Sequence, residues 1–140
     1  KARECGIDHA INTQEDDLEE AVLQNFGTDR ADLILECVGA QATITQAVAV
    51  ARKGTTIVIV GVFGEKPLVD IGLVQDRELS LVGTLMYQQT DYERAIELVG
   101  GGKLSLDALV THRFAFNEYL DAYHTIEAAN GEYMKVMIDL

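Results

Sequence analysis

"GTTIVIVGVFGEKP", residues 54–67, is the stretch whose reading decides the fold. A run of β-prone residues, Thr55 to Val60, ends in Gly61-Val62-Phe63-Gly64. The run is continuous rather than alternating. That is the pattern of a strand buried on both faces, as in a parallel sheet covered by helices. A dinucleotide fingerprint would need Gly-x-Gly-x-x-Gly between such a strand and a helix, with the helix N-terminus facing the pyrophosphate. The turn at Gly61 lacks the first glycine pair. Residues 65–74, "EKPLVDIGLV", put Pro67 soon after it and show only weak helical periodicity, so no helix is expected to follow. Gly39, after "ECV", fails as well, because Ala40 and Gln41 stand where further glycines are needed. No P-loop or Gly-x-Ser-x-Gly elbow occurs anywhere in the chain.

Working outward, strand and helix patterns alternate. "KARECG" reads as a last helical turn stopped by Gly6, and "HAIN" (His9–Asn12) as a short strand. Thr13-Gln-Glu-Asp16 has the form of a capping box, with Leu18, Ala21, Val22 and Phe26 at helical spacing behind it and Gly27 as the stop. "ADLILECV" (31–38) is an apolar strand. A helix carries Ile44, Ala47, Val48 and Ala51 on one face, with Arg52 and Lys53 in its last turn and Gly54 ending it. After the opening strand come "ELSLVGTLM", a helix capped at Thr90 with Tyr92, Ala95, Ile96 and Val99 inward, and a stop at Gly100-Gly101-Gly102. "LVTHRFAF", a helix opened by Asn117 using Leu120, Tyr123 and Ile126, a turn at Asn130-Gly131 and the strand "YMKVMIDL" complete the chain. This order predicts an α/β fold with a parallel sheet and right-handed crossovers. The tight alternation loosens after Gly102. The expected domains are therefore residues 1–106 and a strand-helix-strand tail, 107–140.

Composition bounds the rest. The chain has 140 residues, 48% hydrophobic, with one proline and no low-complexity tract, which is the make-up of a globular domain. A net charge of −12 repels a phosphate backbone, so nucleic acid is not an expected partner. No apolar run approaches the ~18 residues of a membrane span. Cys5 and Cys37 fit no metal spacing and no disulfide framework, and read as free thiols of a cytoplasmic protein. The N-terminus has neither an initiator Met nor a signal core, which suggests an excised segment.

The ordered set "ADLILECVGA", "GTTIVIVGV", "LSLVGTLMY" and "LVTHRFAFNEYLDAY" resembles the medium-chain zinc-containing alcohol dehydrogenases, most closely the sorbitol and threonine dehydrogenase branch. The resemblance covers essentially the whole chain. It implies strands 3–6 of a Rossmann-type doubly wound sheet, without strands 1 and 2, the fingerprint glycines or the zinc-bearing catalytic domain. The parent would be an NAD- or NADP-dependent oxidoreductase acting on a secondary alcohol or polyol. The segment alone is expected to be inactive and to bind the cofactor weakly or not at all. His9, His112 and His124 do not match zinc-ligand positions.

In open α/β sheets, ligands bind at the carboxyl ends of the strands. Here those ends include Val38-Gly39, Val60-Gly61-Val62 and Thr84-Leu85-Met86. Glycines at such ends either admit close backbone approach to a flat ligand or simply terminate strands. The resemblance implies that Val60, Gly61 and Val62 lie over the nicotinamide ribose and carboxamide, and that Thr84, Leu85 and Met86 form a second backbone contact there. Lys135 falls where relatives place an Arg near the pyrophosphate. Met86-Tyr87 stands where polyol dehydrogenases tend to have Arg-Tyr. Tyr87 either donates to a substrate hydroxyl or packs on the sheet as a loop aromatic. The family order also implies that "HAIN" lies two positions from "ADLILECV", which leaves the latter as an apolar edge. That edge would be closed by direct pairing with "HAIN", by another chain, or by the rest of a larger protein. Pairing of Glu78–Gly83 with its two-fold mate would make a homodimer. The alternative function is a non-catalytic interaction module on a truncated fold. A flavodoxin-like receiver would need acids after its first strand, which "HAINTQ" lacks.

Overall fold

The computed structural model describes residues 1–129 and 133–140, so the expected Asn130-Gly131 turn lies outside the described residues. The chain divides into two compact units, Ile11–Met86 and, together, Lys1–Ala10 with Tyr87–Leu140. Both are α/β with parallel strands.

The unit Ile11–Met86 contains α1 (Leu18–Phe26), β1 (Ala31–Glu36), α2 (Gln41–Val50), β2 (Ala51–Ile59), α3 (Ile71–Asp76) and β3 (Ser80–Gly83). Its sheet has the order β1-β2-β3, all parallel. Paired residues share a face, so Ile34, Ile57 and Leu81 lie on one side and Leu35, Val58 and Val82 on the other. The first side is the core. Ile57 is fully buried and packs with Ala47 and Val48 of α2, Ala51 and Leu79, with Ile34, Ile59, Leu73 and Val74 around them. The second side is uncovered. Leu33 and Leu35 are 56% and 59% exposed, and Val82 is exposed beside a half-buried Val58. The continuous apolar run therefore carries residues suited to two covers, but helices of this unit cover only one face.

Several boundaries differ from the sequence reading. "HAIN" is not a strand. Four residues without a neighbour cannot satisfy their backbone groups by sheet pairing, so direct closure of the β1 edge by this segment does not occur. Among the described residues, β1 pairs with β2 alone. The cap of α1 is Asp17, whose carboxylate accepts from the Glu20 N–H, and not Thr13. α2 ends at Val50, and Arg52 and Lys53 belong to β2 rather than to its last turn. Gly54, with φ +81°, forms the irregularity where the β1–β2 register skips from Ala31↔Ala51 to Leu33↔Thr56. There the Thr55 hydroxyl donates to the Ala31 carbonyl at 2.8 Å, and the Gly54 N–H to the Arg77 carbonyl at 2.7 Å. A short helix, α3, does follow the Gly61 turn, capped by Asp70, but it starts ten residues beyond it.

The other unit holds α4 (Gln89–Gly100), β4 (Val110–Ala115), α5 (Tyr119–Ala128) and β5 (Lys135–Asp139), with β4 and β5 paired in parallel. The strand-helix-strand tail is thus present as read. The carboxylate of Asp91 accepts from the Gln88 N–H, so α4 opens at Gln89 rather than from a Thr90 cap. The Gly101 N–H closes it on the Glu97 carbonyl. The stripes expected to face inward are exposed: Tyr92, Ile96 and Val99 on α4, and Leu120, Tyr123 and Ile126 on α5, whose one buried residue is Ala122. No helix among the described residues is long and apolar enough to cross a membrane.

Candidate functional site

The carboxyl ends of β1, β2 and β3 meet at one main-chain junction. Its centre is Glu36, the last residue of β1. The Glu36 carbonyl accepts from both the Val60 and the Gly61 N–H, each at 2.8 Å, which fixes the turn leaving β2. Its side chain, only 3% exposed, fixes the turn leaving β1. Oε1 accepts from the N–H of Val38 (3.0 Å) and Gly39 (2.9 Å) and from the Thr43 hydroxyl (2.6 Å), while Oε2 accepts from the Gly39 N–H at 3.1 Å. Burial pushes this carboxyl up. The Thr43 and backbone hydrogen bonds oppose that and win, so it is held below the usual carboxylate range.

The two turns then touch without side chains between them. Gly39 has φ +78°, and a Cβ there would lie 2.4 Å from the Val62 carbonyl oxygen. A Cβ on Gly61 would lie 2.2 Å from the Gly39 nitrogen and 2.6 Å from Glu36 Oε2. Both positions require glycine for space, and Gly39 requires it for backbone conformation as well. The third segment joins through the Thr84 N–H, which donates to the Ile59 carbonyl at 3.1 Å. Met86 ends it in the left-handed region, φ +64°, a conformation that costs a non-glycine residue energy.

Around this junction the side chains point outward. Val38, Val60, Val62, Leu85 and Met86 are all exposed, Val62 at 81%. Beside it a cavity of about 270 Å³ opens between the start of α2, at Gly39 to Gln41, and residues 63–67. The Gln41 amide clamps this loop by accepting from the Leu68 N–H (2.8 Å) and donating to the Leu68 carbonyl (2.9 Å). The result is an apolar rim over a floor of main-chain N–H and C=O groups. The N–H groups of Val38, Gly39, Val60, Gly61 and Thr84 are already donated within the junction, so among the described residues the main-chain donors left for a planar group with one donor and one acceptor are those of Val62, Leu85 and Met86, beside the carbonyls of the turns.

The structure therefore gathers Val38, Gly39, Val60, Gly61, Val62, Thr84, Leu85 and Met86 in one unit. Tyr87 and Lys135 belong to the other. There Tyr87 is exposed and meets Tyr92 edge-on, with ring centroids 5.7 Å apart. Lys135 opens β5 and lines an apolar cavity of about 450 Å³ with Leu106, Met134 and Met137 among others. Glu36, Gln41 and Thr43 escape the sequence reading. The available signal for Glu36 is an acid that follows the apolar stretch Leu33-Ile34-Leu35, two residues before the end of the run. Among the described residues, no group of three or more His, Cys, Asp and Glu side chains is gathered to hold a metal. His9, His112, His124, Cys5 and Cys37 therefore do not supply a zinc site within them.

Comparison with known proteins agrees with this architecture. A family model described as zinc-binding dehydrogenase matches residues 1–101. The chain is 35% identical over 139 residues to a sorbitol dehydrogenase of Halalkalibacterium halodurans, covering 99% of this chain and 40% of that protein. It is 32% identical to sorbitol dehydrogenase 1 of Saccharomyces cerevisiae, again over 99% of this chain and 40% of the relative. Among solved structures, a protein of Sinorhizobium meliloti 1021 described as a zinc-binding dehydrogenase bound to NADP superposes with a TM-score of 0.82 at 28% identity, over 99% of this chain and 41% of that one. The chain thus spans about 40% of the length of the curated relatives it matches.

Proposed function

The chain belongs to the zinc-binding dehydrogenase family, and on that premise we propose that it forms the nicotinamide end of the cofactor site of an NAD(P)-dependent oxidoreductase acting on a secondary alcohol or polyol. The observation that carries this reading is the Gly39–Gly61–Val62 junction, a floor of main-chain atoms at the carboxyl ends of a parallel sheet, where dinucleotides bind in open α/β folds. Val60, Gly61 and Val62 hold the carboxamide and ribose, and Thr84, Leu85 and Met86 close the second side. Val38 and Gly39 complete the floor. A nicotinamide held by these residues would supply hydride transfer. The chain's own groups orient the ring by hydrogen bonding and, through the valine rim, exclude water from one face. Tyr87 is assigned to a substrate hydroxyl and Lys135 to the cofactor phosphates.

Zinc does not fit this chain's described residues, so no step is assigned to a metal on it. The chain alone has no phosphate-binding glycine fingerprint. It is therefore inactive, and its affinity for nicotinamide dinucleotides lies in the millimolar range. Further proposals are a homodimer through the strand edge at Glu78–Gly83, whose residues Ser80 to Gly83 are exposed, and a cytoplasmic location.

Nuclear magnetic resonance titration of the 15N-labelled chain with NADH and NADPH tests the reading. The expected result is saturating shifts confined to the amides of Val38–Gly39, Val60–Val62 and Thr84–Met86, at millimolar concentrations. No shift at those amides removes the cofactor assignment. A micromolar Kd removes the claim that a phosphate cradle is missing.

A further inference from the structure

We propose that Glu36 is a positioning residue of the cofactor turn: its carboxylate and its own carbonyl take up the Val38, Gly39, Val60 and Gly61 N–H groups and so hold the β1 and β2 turns with their remaining main-chain groups toward a nicotinamide end. This deepens the function proposed above and rests on it. Six hydrogen bonds from five donor groups, outside the sheet ladder, converge on the two turns through this residue. The side chain takes Val38, Gly39 and Thr43, and the carbonyl takes Val60 and Gly61. Among the described residues no other side chain accepts from the N–H groups of these two turns. Gly39 and Gly61 carry no side chain, and the nearby valines point to solvent.

A buried carboxylate with this partner set does more than fill space. An apolar residue of the same size would leave the Val38 and Gly39 N–H groups without acceptors. A neutral amide would keep the shape, but would turn an NH₂ group toward the Gly39 N–H that Oε2 now accepts. The Gly39 nitrogen is also the atom against which Gly61 is seated. Displacing it moves the turn at Val60–Val62 directly. Thr43 is the outer member of the set: its hydroxyl donates to Glu36 Oε1 and lies 3.0 Å from the Ala40 carbonyl, which anchors the carboxylate to the first turn of α2.

The test compares Glu36→Gln, Thr43→Val and Thr43→Ser in the 140-residue chain. Each is titrated with NADH by amide shifts well below its thermal midpoint, so that Kd is read on folded protein. Loss of one charged hydrogen bond is expected to weaken Glu36→Gln about tenfold. Thr43→Val should weaken binding about threefold, and Thr43→Ser, which keeps the hydroxyl, should bind as the parent does. A purely structural role would lower the thermal midpoint of Glu36→Gln while leaving Kd unchanged, and that outcome overturns the proposal. If Glu36→Gln does not fold, the two Thr43 variants decide: equal Kd for Val and Ser overturns it. Absence of shifts in the parent chain itself removes the cofactor reading and this inference together. Binding by the parent with unaltered binding by the variants removes only this inference.

Discussion

Gly61 and Gly39 meet main chain to main chain, with no room for a methyl group on either. Gly61→Ala is therefore expected to destabilise the chain by about 2–3 kcal/mol, in the range of forced overpacking. Gly39→Ala should cost at least as much, because its φ of +78° adds strain to the clash. Gly83, with open space around its Cβ position, is the control: Gly83→Ala should stay within about 0.5 kcal/mol of the parent. Urea unfolding of the three variants checks the order. Equal stabilities for Gly61→Ala and Gly83→Ala would sink the close-approach account.

Arg77 binds the end of α2 to the segment entering β3. One guanidinium nitrogen, Nη1, lies 3.3, 2.7 and 2.9 Å from the carbonyls of Val48, Ala49 and Ala51. The first two are carbonyls that the helix end leaves without intrahelical partners, and the third belongs to the first residue of β2. Arg77→Met keeps the aliphatic stem and removes the donors, and should cost about 1.5–3 kcal/mol. The chemical-denaturation midpoint measures this directly.

The start of α1 offers a paired test. Asp17→Ala removes the acceptor for the Glu20 N–H and should cost about 1 kcal/mol. Thr13→Ala touches no cap and should change stability by less than about 0.5 kcal/mol. Thermal melts that ranked the two in the opposite order would return the cap to Thr13.

Glu36 also sets a pH dependence. Its carboxyl is held low in the folded chain, so the unfolded chain binds that proton more tightly. The stabilisation is fully present above the ordinary carboxylate value and is lost as pH falls through the lower, folded value. Unfolding free energy measured across the acid range should therefore fall less steeply for Glu36→Gln than for the parent. Parallel acid limbs in the two proteins would contradict the sign.

The β3 edge bears on assembly. It pairs only with β2 among the described residues, and Leu81 and Val82 on it are exposed. If two copies join there, Leu81→Pro removes an N–H from the ladder and the chain should elute as a monomer in size-exclusion chromatography. A dimer that survives this substitution does not use that edge.

Periodicity in the sequence located the centres of the elements better than their ends. The run from Thr55 to Val60 reads as a strand buried on both faces, because β-branched residues have few other uses in such density; β2 does run centrally through it to Ile59, but only one of its faces is covered. The end of α2 misleads. Arg52, Lys53 and Gly54 carry the signals of a helix terminus, and the same glycine serves equally well at a strand irregularity with φ +81°. Several potential caps stand together between Thr13 and Asp17, and only the path of the backbone selects Asp17. The stripes on α4 and α5 show amphipathic spacing without saying what will cover them. The strand-end glycines Gly39 and Gly61 mark the place where the two turns touch. Glu36 did not stand out, because what makes it matter is the set of N–H groups the fold turns toward it.

A floor made of amide and carbonyl groups has an evolutionary consequence. Replacing Val62, 81% exposed, or Leu85, 82% exposed, alters the rim and leaves the floor as it is. Replacing Gly39 or Gly61 destroys the floor. A saturation library should therefore show two narrow valleys of intolerance within a permissive surface. Side chains on the rim can therefore change freely while the shape beneath them persists, because that shape is written in the polypeptide backbone.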